Sequence, residues 1–196
     1  MAVVKSLCVF CGASDAVAPA YREAAIRLGA LMGKAGIELV FGGGRIGLMG
    51  LLSESVAVNG GNVFGVIPRH LHRVETGGLT PLGELHVVET MHERKALMFS
   101  RADAFAVLPG GLGTLDETFE ILTWKQLGLH DKPIVVVDVA GYWNPLIHQV
   151  ERIVATGFAP RSSLGLMRTV RTPEEVLPLL ASLPEPRIEP PSRFSS

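Results

Sequence analysis

The residues best suited to chemistry lie in Leu108-Pro109-Gly110-Gly111-Leu112-Gly113-Thr114-Leu115-Asp116-Glu117. This segment leaves an apolar run, Ala104-Phe105-Ala106-Val107-Leu108, and enters a helix predicted to begin near Thr114. Glycines at 110, 111 and 113 let consecutive amides curl around a phosphate without interference from a Cβ. Thr114 can add a hydroxyl, and the start of a helix adds a field that favours an anion. Glu117 has two readings. Thr114-x-x-Glu117 is the pattern of a capping box, in which the carboxylate turns back to the Thr114 amide. If Thr114 serves a phosphate instead, Glu117 becomes a carboxylate about one turn away from it, free for acid–base or electrostatic work.

A second cluster, Met91-His92-Glu93-Arg94-Lys95, opens the helix after the fourth predicted strand. Adjacent cations in a first turn oppose the helix dipole, so helix stability does not select them. They either face a ligand or form a solvated charged face. The third candidate, Phe41-Gly42-Gly43-Gly44-Arg45-Ile46-Gly47, formally matches G-x-G-x-x-G. It follows the second strand instead of the first, and no acid ends the next strand to hold a ribose, which argues against a dinucleotide site. No Gly-Lys-Ser/Thr follows, so it is not a P-loop. Amides here, including those of Gly43 and Gly44, suit an anion or a close-packed sugar. A tight turn at positive φ is the structural alternative.

Taken together, Met91-His92-Glu93-Arg94-Lys95 and Pro109 to Glu117 resemble the paired M-x-x-R-K and P-G-G-x-G-T-x-x-E motifs of the Lonely Guy (LOG) family. Cys11-Gly12-Ala13-Ser14, Gly42-Gly43-Gly44, Val66-Ile67-Pro68, Thr123-Trp124-Lys125-Gln126-Leu127-Gly128 and Asp131-Lys132-Pro133 extend the likeness, in order, from about Lys5 to Leu180. The resemblance implies a Rossmann-like subunit, usually dimeric, that hydrolyses cytokinin riboside 5′-monophosphates to base and ribose 5-phosphate. Bacterial relatives often accept AMP as well. It places the catalytic pair on Arg94 and Glu117. Substrate-binding positions fall on Lys95, Gly110, Gly111, Leu112, Gly113, Thr114, Leu115, Asp116 and Thr123, with Ser14, Gly43 and Gly44 as further candidates from the earlier loops. The acidic residue after the third strand corresponds to Glu75, in a segment longer than in plant members. Many members were once labelled lysine decarboxylases, but no constellation for a pyridoxal phosphate Schiff base is present here.

To bring these loops together the chain needs a scaffold, and its patterning supplies one. Strands are predicted at Ser6–Gly12, Glu38–Phe41, Asn62–Ile67, Leu85–Val88, Ala104–Leu108, Pro133–Val137 and Met167–Val170. Helices are predicted at Ala20–Ala35, Leu48–Asn59, His92–Ala102, Leu115–Leu127, Pro145–Thr156 and Pro173–Leu183, with Glu75–Gly83 a loop. Alternation of this kind gives an α/β domain, an open parallel sheet with helices on both faces. Ligands then bind beyond the carboxyl ends of the strands. One Rossmann-like domain, residues 1–183, is expected, followed by a Pro-rich disordered tail, 184–196.

Composition sets outer limits. The 196 residues carry a net charge of −1, which excludes the basic field of a duplex nucleic-acid partner. The mean hydropathy of +0.33 comes from apolar runs too short to span a bilayer, so no membrane partner is expected. The excess suits a well-covered sheet and a homodimer interface, with Phe119, Leu122 and Trp124 as candidate interface residues or ordinary core. With no apolar leader at the N-terminus, a cytoplasmic location is expected. Cys8 and Cys11 form a C-x-x-C, but on a strand this spacing sends them to opposite faces as buried thiols. His70-x-His72 lacks a nearby third ligand, so no metal is expected, and hydrolysis calls for no organic cofactor. Two rivals share the scaffold. A non-catalytic nucleotide or molybdenum-cofactor carrier would need no Arg94–Glu117 pair, and an NAD-dependent oxidoreductase would need the missing ribose acid.

Overall fold

The computed structural model describes residues 4–184. The tail expected at 184–196 therefore falls, but for its first residue, outside the described residues. The chain alternates β1 (Ser6–Phe10), α1 (Pro19–Ala35), β2 (Glu38–Phe41), α2 (Gly47–Val58), β3 (Val63–Pro68), α3 (Arg69–Thr76) and β4 (Glu84–Val88). It continues with α4 (Met91–Arg101), β5 (Ala104–Val107), α5 (Leu112–Gln126), β6 (Ile134–Val137), α6 (Asn144–Ala155), β7 (Arg168–Val170) and α7 (Val176–Ser182). The strands form a seven-stranded sheet in the order β4-β3-β2-β1-β5-β6-β7. Every pairing is parallel. The order reverses around β1, whose neighbours are β2 and β5, and that crevice is where a ligand fits a sheet of this kind.

Period-two alternation along β1 divides the core. Leu7, Val9 and Cys11 pack on one face with α1, α2 and α7 through Leu28, Met32, Leu52, Val56 and Leu180. Cys8 and Phe10 pack on the other with α4, α5 and α6 through Met98, Ile121, Leu122 and Leu146. The two cysteines are free and buried on opposite faces, as their spacing predicts, and burial pushes both thiols up, out of the reactive range. Pro19 opens α1, and Gly36, Gly60 and Gly157 take positive φ of 67°, 82° and 84° just past α1, α2 and α6.

Several boundaries depart from the sequence reading. Helix α3 lies where no helix was predicted, and it carries Glu75 near its end. Helix α5 starts at Leu112, three residues before the predicted Leu115. The last predicted helix is a 3-10 turn, Pro173–Glu175, followed by the shorter α7. Among the described residues no helix is long and apolar enough to cross a membrane.

Candidate active site

Three loops converge at the carboxyl end of β1, β2 and β5. The Gly12 amide donates to the Pro109 carbonyl at 3.1 Å, and the Leu48 amide donates to the Gly12 carbonyl at 3.0 Å. Beyond them lies a cavity of about 210 Å³ whose wall includes Gly12, Gly42, Met49, Glu75, Met91, Arg94, Gly111, Gly113, Thr114, Asp116 and Glu117.

The anion end is the start of α5. Gly111 is its cap, no side chain caps it, and its first turn holds no acid. The Leu115 amide makes the first turn's bond, to the Gly111 carbonyl at 3.0 Å, so the amides before it have no helical partner. Thr114 is buried, and its side chain occupies the place where a Cβ at residue 110 would stand, so only glycine fits there. Thr114 is the third residue of the helix and not its cap, so the capping-box alternative for Thr114 and Glu117 is not formed. The capping pattern instead belongs to Thr90-x-x-Glu93 at the start of α4. There the Thr90 hydroxyl accepts from the Glu93 amide at 3.1 Å and the Glu93 carboxylate accepts from the Glu89 amide at 2.8 Å.

Glu117, in the second turn of α5, lines both this cavity and a small pocket behind it that includes Lys95, Phe99 and Glu120. Burial pushes its carboxyl up from 4.5 to about 7, Arg94 pulls it back, and Asp116 and Glu75 add to the rise. Arg94 is 5% exposed. One guanidinium nitrogen, Nη2, donates to the Gly42 carbonyl at 2.9 Å and to Glu75 Oε2 at 3.3 Å. A Cβ at Gly42 would collide with that nitrogen, so the guanidinium occupies space that only glycine leaves open. Buried Nε has no partner among the described residues and remains a donor for a ligand.

Of the positions named from sequence, Glu75, Arg94, Gly111, Gly113, Thr114, Asp116 and Glu117 meet at this cavity. Lys95 does not line it. Its ammonium bridges Asp116 and Glu120, each at 3.2 Å, tying α4 to α5. Burial works to lower that ammonium, but hydrogen bonds to Asp116 and Glu120 raise it overall. Gly110, Leu112 and Leu115 flank the wall without entering it, and Leu112 is 85% exposed. Ser14 is exposed and accepts from the Ala16 amide at 3.2 Å. Gly43 and Gly44 are buried, a Cβ there would meet Leu85 and Ile67 or Met49, and neither residue lines the cavity. Thr123 is exposed farther along α5. Gly42, Met49 and the carboxyl-end residues of β1 line the wall without having been singled out. For Gly42 the signal was its glycine run; for Met49 there was none. His70 and His72 lie on α3, and among the described residues no group of three or more His, Cys, Asp or Glu is placed to hold a metal.

Comparison with known proteins bears on the family and the fold. The family model described as "Possible lysine decarboxylase" matches residues 49–180. A probable cytokinin riboside 5′-monophosphate phosphoribohydrolase of Oryza sativa subsp. japonica is 44% identical over 173 residues, 88% of this chain and 70% of that one. A cytokinin riboside 5′-monophosphate phosphoribohydrolase of Arabidopsis thaliana is 49% identical over 154 residues, 79% of this chain and 70% of that one. Among solved structures, the molybdenum cofactor binding protein of Rippkaea orientalis superposes with a TM-score of 0.67 at 21% identity, over 90% of this chain and 95% of that one. The molybdenum cofactor carrier protein of Chlamydomonas reinhardtii gives 0.66 at 17% identity, over 91% of this chain and 98% of that one. At such identities the likeness is one of fold. With the family model spanning most of the chain and relatives at these identities, the chain belongs to the Lonely Guy family.

Proposed function

We propose that this protein hydrolyses the N-glycosidic bond of cytokinin riboside 5′-monophosphates, and of AMP, to free base and ribose 5-phosphate. The observation that carries the reading is one cavity with three kinds of group on its wall: uncapped helix amides, a carboxyl raised to about 7, and a buried guanidinium. The 5′-phosphate rests on the amides at the start of α5 with the Thr114 hydroxyl, which turns remote binding energy into orientation at C1′. As the C1′–N bond breaks, the ribose gains oxocarbenium character and the bonding electrons move into the base. Glu117 stands on the ribose side, where its carboxylate stabilises positive charge or takes a proton from the attacking water. Arg94 stands toward the base. A guanidinium is always charged, so it stabilises the departing electron pair while water returns the proton. Glu75 and the Gly42 carbonyl fix Arg94, and Lys95 fixes the α5 acids. The only co-reactant this chemistry calls for is water.

The reading includes a homodimer, supported by apolar side chains left exposed on α5, Leu112 at 85% and Phe119 at 38%. It also includes a cytoplasmic location, since a phosphorylated substrate does not cross a bilayer unaided. The test is to incubate the protein with AMP and with isopentenyladenosine monophosphate and chromatograph for free base, with the unphosphorylated nucleosides as controls. Base from the monophosphates alone is the expected result. Ligand recovered bound and unchanged would sink the hydrolase reading in favour of a carrier.

A further inference from the structure

The turn after β6 has no part in the chemistry above, yet it is built with unusual care. Ala140 holds φ 53° and ψ 27° and is the one non-glycine residue at positive φ among the described residues. Such a conformation costs energy in any residue with a Cβ and persists only where its surroundings impose it. The surroundings are specific. Asp138 Oδ1 accepts from the Trp143 amide at 2.6 Å, and the Tyr142 amide donates to the Val139 carbonyl at 3.1 Å. The Tyr142 ring is wedged edge-on between Tyr21 of α1 and Trp143, with centroids at 5.4 and 4.8 Å. All of this delivers one contact to the phosphate loop: the Tyr142 hydroxyl donates to the Gly110 carbonyl at 2.6 Å.

The Gly110 carbonyl and the Gly111 amide belong to the same peptide plane, and in a trans peptide they point in opposite directions. Holding the carbonyl outward therefore aims the amide the other way, and Gly111 lines the cavity. Both flanking residues are glycine, so this plane could rotate at little steric cost. A Cβ at residue 111 would stand in open space, so no neighbouring side chain presses on that side of Gly111, and among the described residues the Tyr142 hydroxyl is the only donor on the Gly110 carbonyl. We propose that Tyr142 is a positioning residue for phosphate recognition, locking the Gly110–Gly111 peptide so that the Gly111 amide faces the anion. The hydroxyl also polarises the peptide, which strengthens the amide as a donor. The inference rests on the reading that a phosphate sits at the start of α5.

Its test is Tyr142→Phe, which keeps the ring packing and removes only the hydroxyl. Titration calorimetry with inorganic phosphate and with ribose 5-phosphate should show roughly five- to tenfold weaker binding, the scale of one lost hydrogen bond. The KM for AMP should rise in proportion while kcat stays within about twofold of wild type. The melting temperature should not move. Unchanged phosphate affinity in Tyr142→Phe, in a wild-type protein that releases base, overturns this proposal alone. Affinity lost only in Tyr142→Ala, together with a lower melting temperature, also overturns it, because the role is then packing. Weaker phosphate binding in Tyr142→Phe with no base released by wild type supports the lock and overturns the hydrolase reading instead.

Discussion

Glu117 is a carboxyl that the protein keeps half-protonated near neutrality. Its rise from 4.5 to about 7 is dominated by burial, with Arg94 opposing and two neighbouring acids assisting. A raised carboxyl favours the protonated folded state. Its contribution is therefore neutral below about pH 4.5, turns into a penalty as pH climbs from there to 7, and is fully developed above that, on the order of 3 kcal/mol. Glu117→Gln should accordingly be more stable than wild type at pH 8 and equal to it at pH 4, read by denaturant titration at each pH. The same substitution should lower kcat by about 100-fold or more, and the limb of the wild-type kcat/KM profile near pH 7 should vanish. Normal turnover with a lower melting temperature would mean that the carboxylate supports structure and not chemistry. Arg94 is tested from its neighbour. Gly42→Ala places a methyl where Nη2 now sits. Displacement of the guanidinium by about an ångström should cost on the order of 100-fold in kcat while the protein stays folded by circular dichroism.

Among the elements, α4 and α5 begin differently, and the difference separates stability from function. Thr90 caps α4, with the Glu93 carboxylate reaching back one turn to the Glu89 amide, whereas α5 begins at Gly111 with no side-chain cap. Thr90→Ala should therefore destabilise the fold by about 1 kcal/mol in chemical denaturation while leaving kcat within about twofold. A large fall in kcat with no change in stability would place Thr90 in the site instead. The same contrast shows what the sequence reveals. Buried strands such as Ala104–Val107 and Ile134–Val137 announce themselves by continuous apolar runs, so the sheet and the loops leaving it were legible to within a residue or two. The start of α5 was not, because a Gly-Gly-Leu-Gly run has poor helix propensity and only the fold holds it helical. Helix α3 was hidden because it is short and mostly polar, its Thr76 alone being buried, so its two apolar residues, Leu71 and Val74, made too brief a period to read as a helix. Glu75 was placed by resemblance alone, and its hydrogen bond to Arg94 depends on that hidden helix.

For the molecule as a whole, the apolar excess of the sequence goes largely into a sheet covered on both faces, and exposed apolar side chains remain on several elements, among them Val58, Val74 and Phe158 as well as two on α5. The candidate interface residues divide there. Leu122 is 7% exposed and belongs to the core, and Trp124 is half-buried and packs edge-on to Phe99 at 4.9 Å. Phe119 and Leu112 stay exposed, seven residues apart and so on one side of the helix, with Thr123 close to the same line. A second copy meeting α5 across a two-fold axis would cover these side chains symmetrically, since such an interface pairs a patch with itself. It would also bring Thr123, which lies away from this chain's own cavity, near the partner's copy of the same helix. Leu112→Asp combined with Phe119→Glu should then give a monomer in sedimentation velocity where the wild-type protein gives a dimer. Because both side chains are exposed in the isolated chain, the variant's unfolding free energy extrapolated to low protein concentration should differ little from that of wild type. A variant that still sediments as a dimer would move the interface to another face, and a wild-type monomer would remove it.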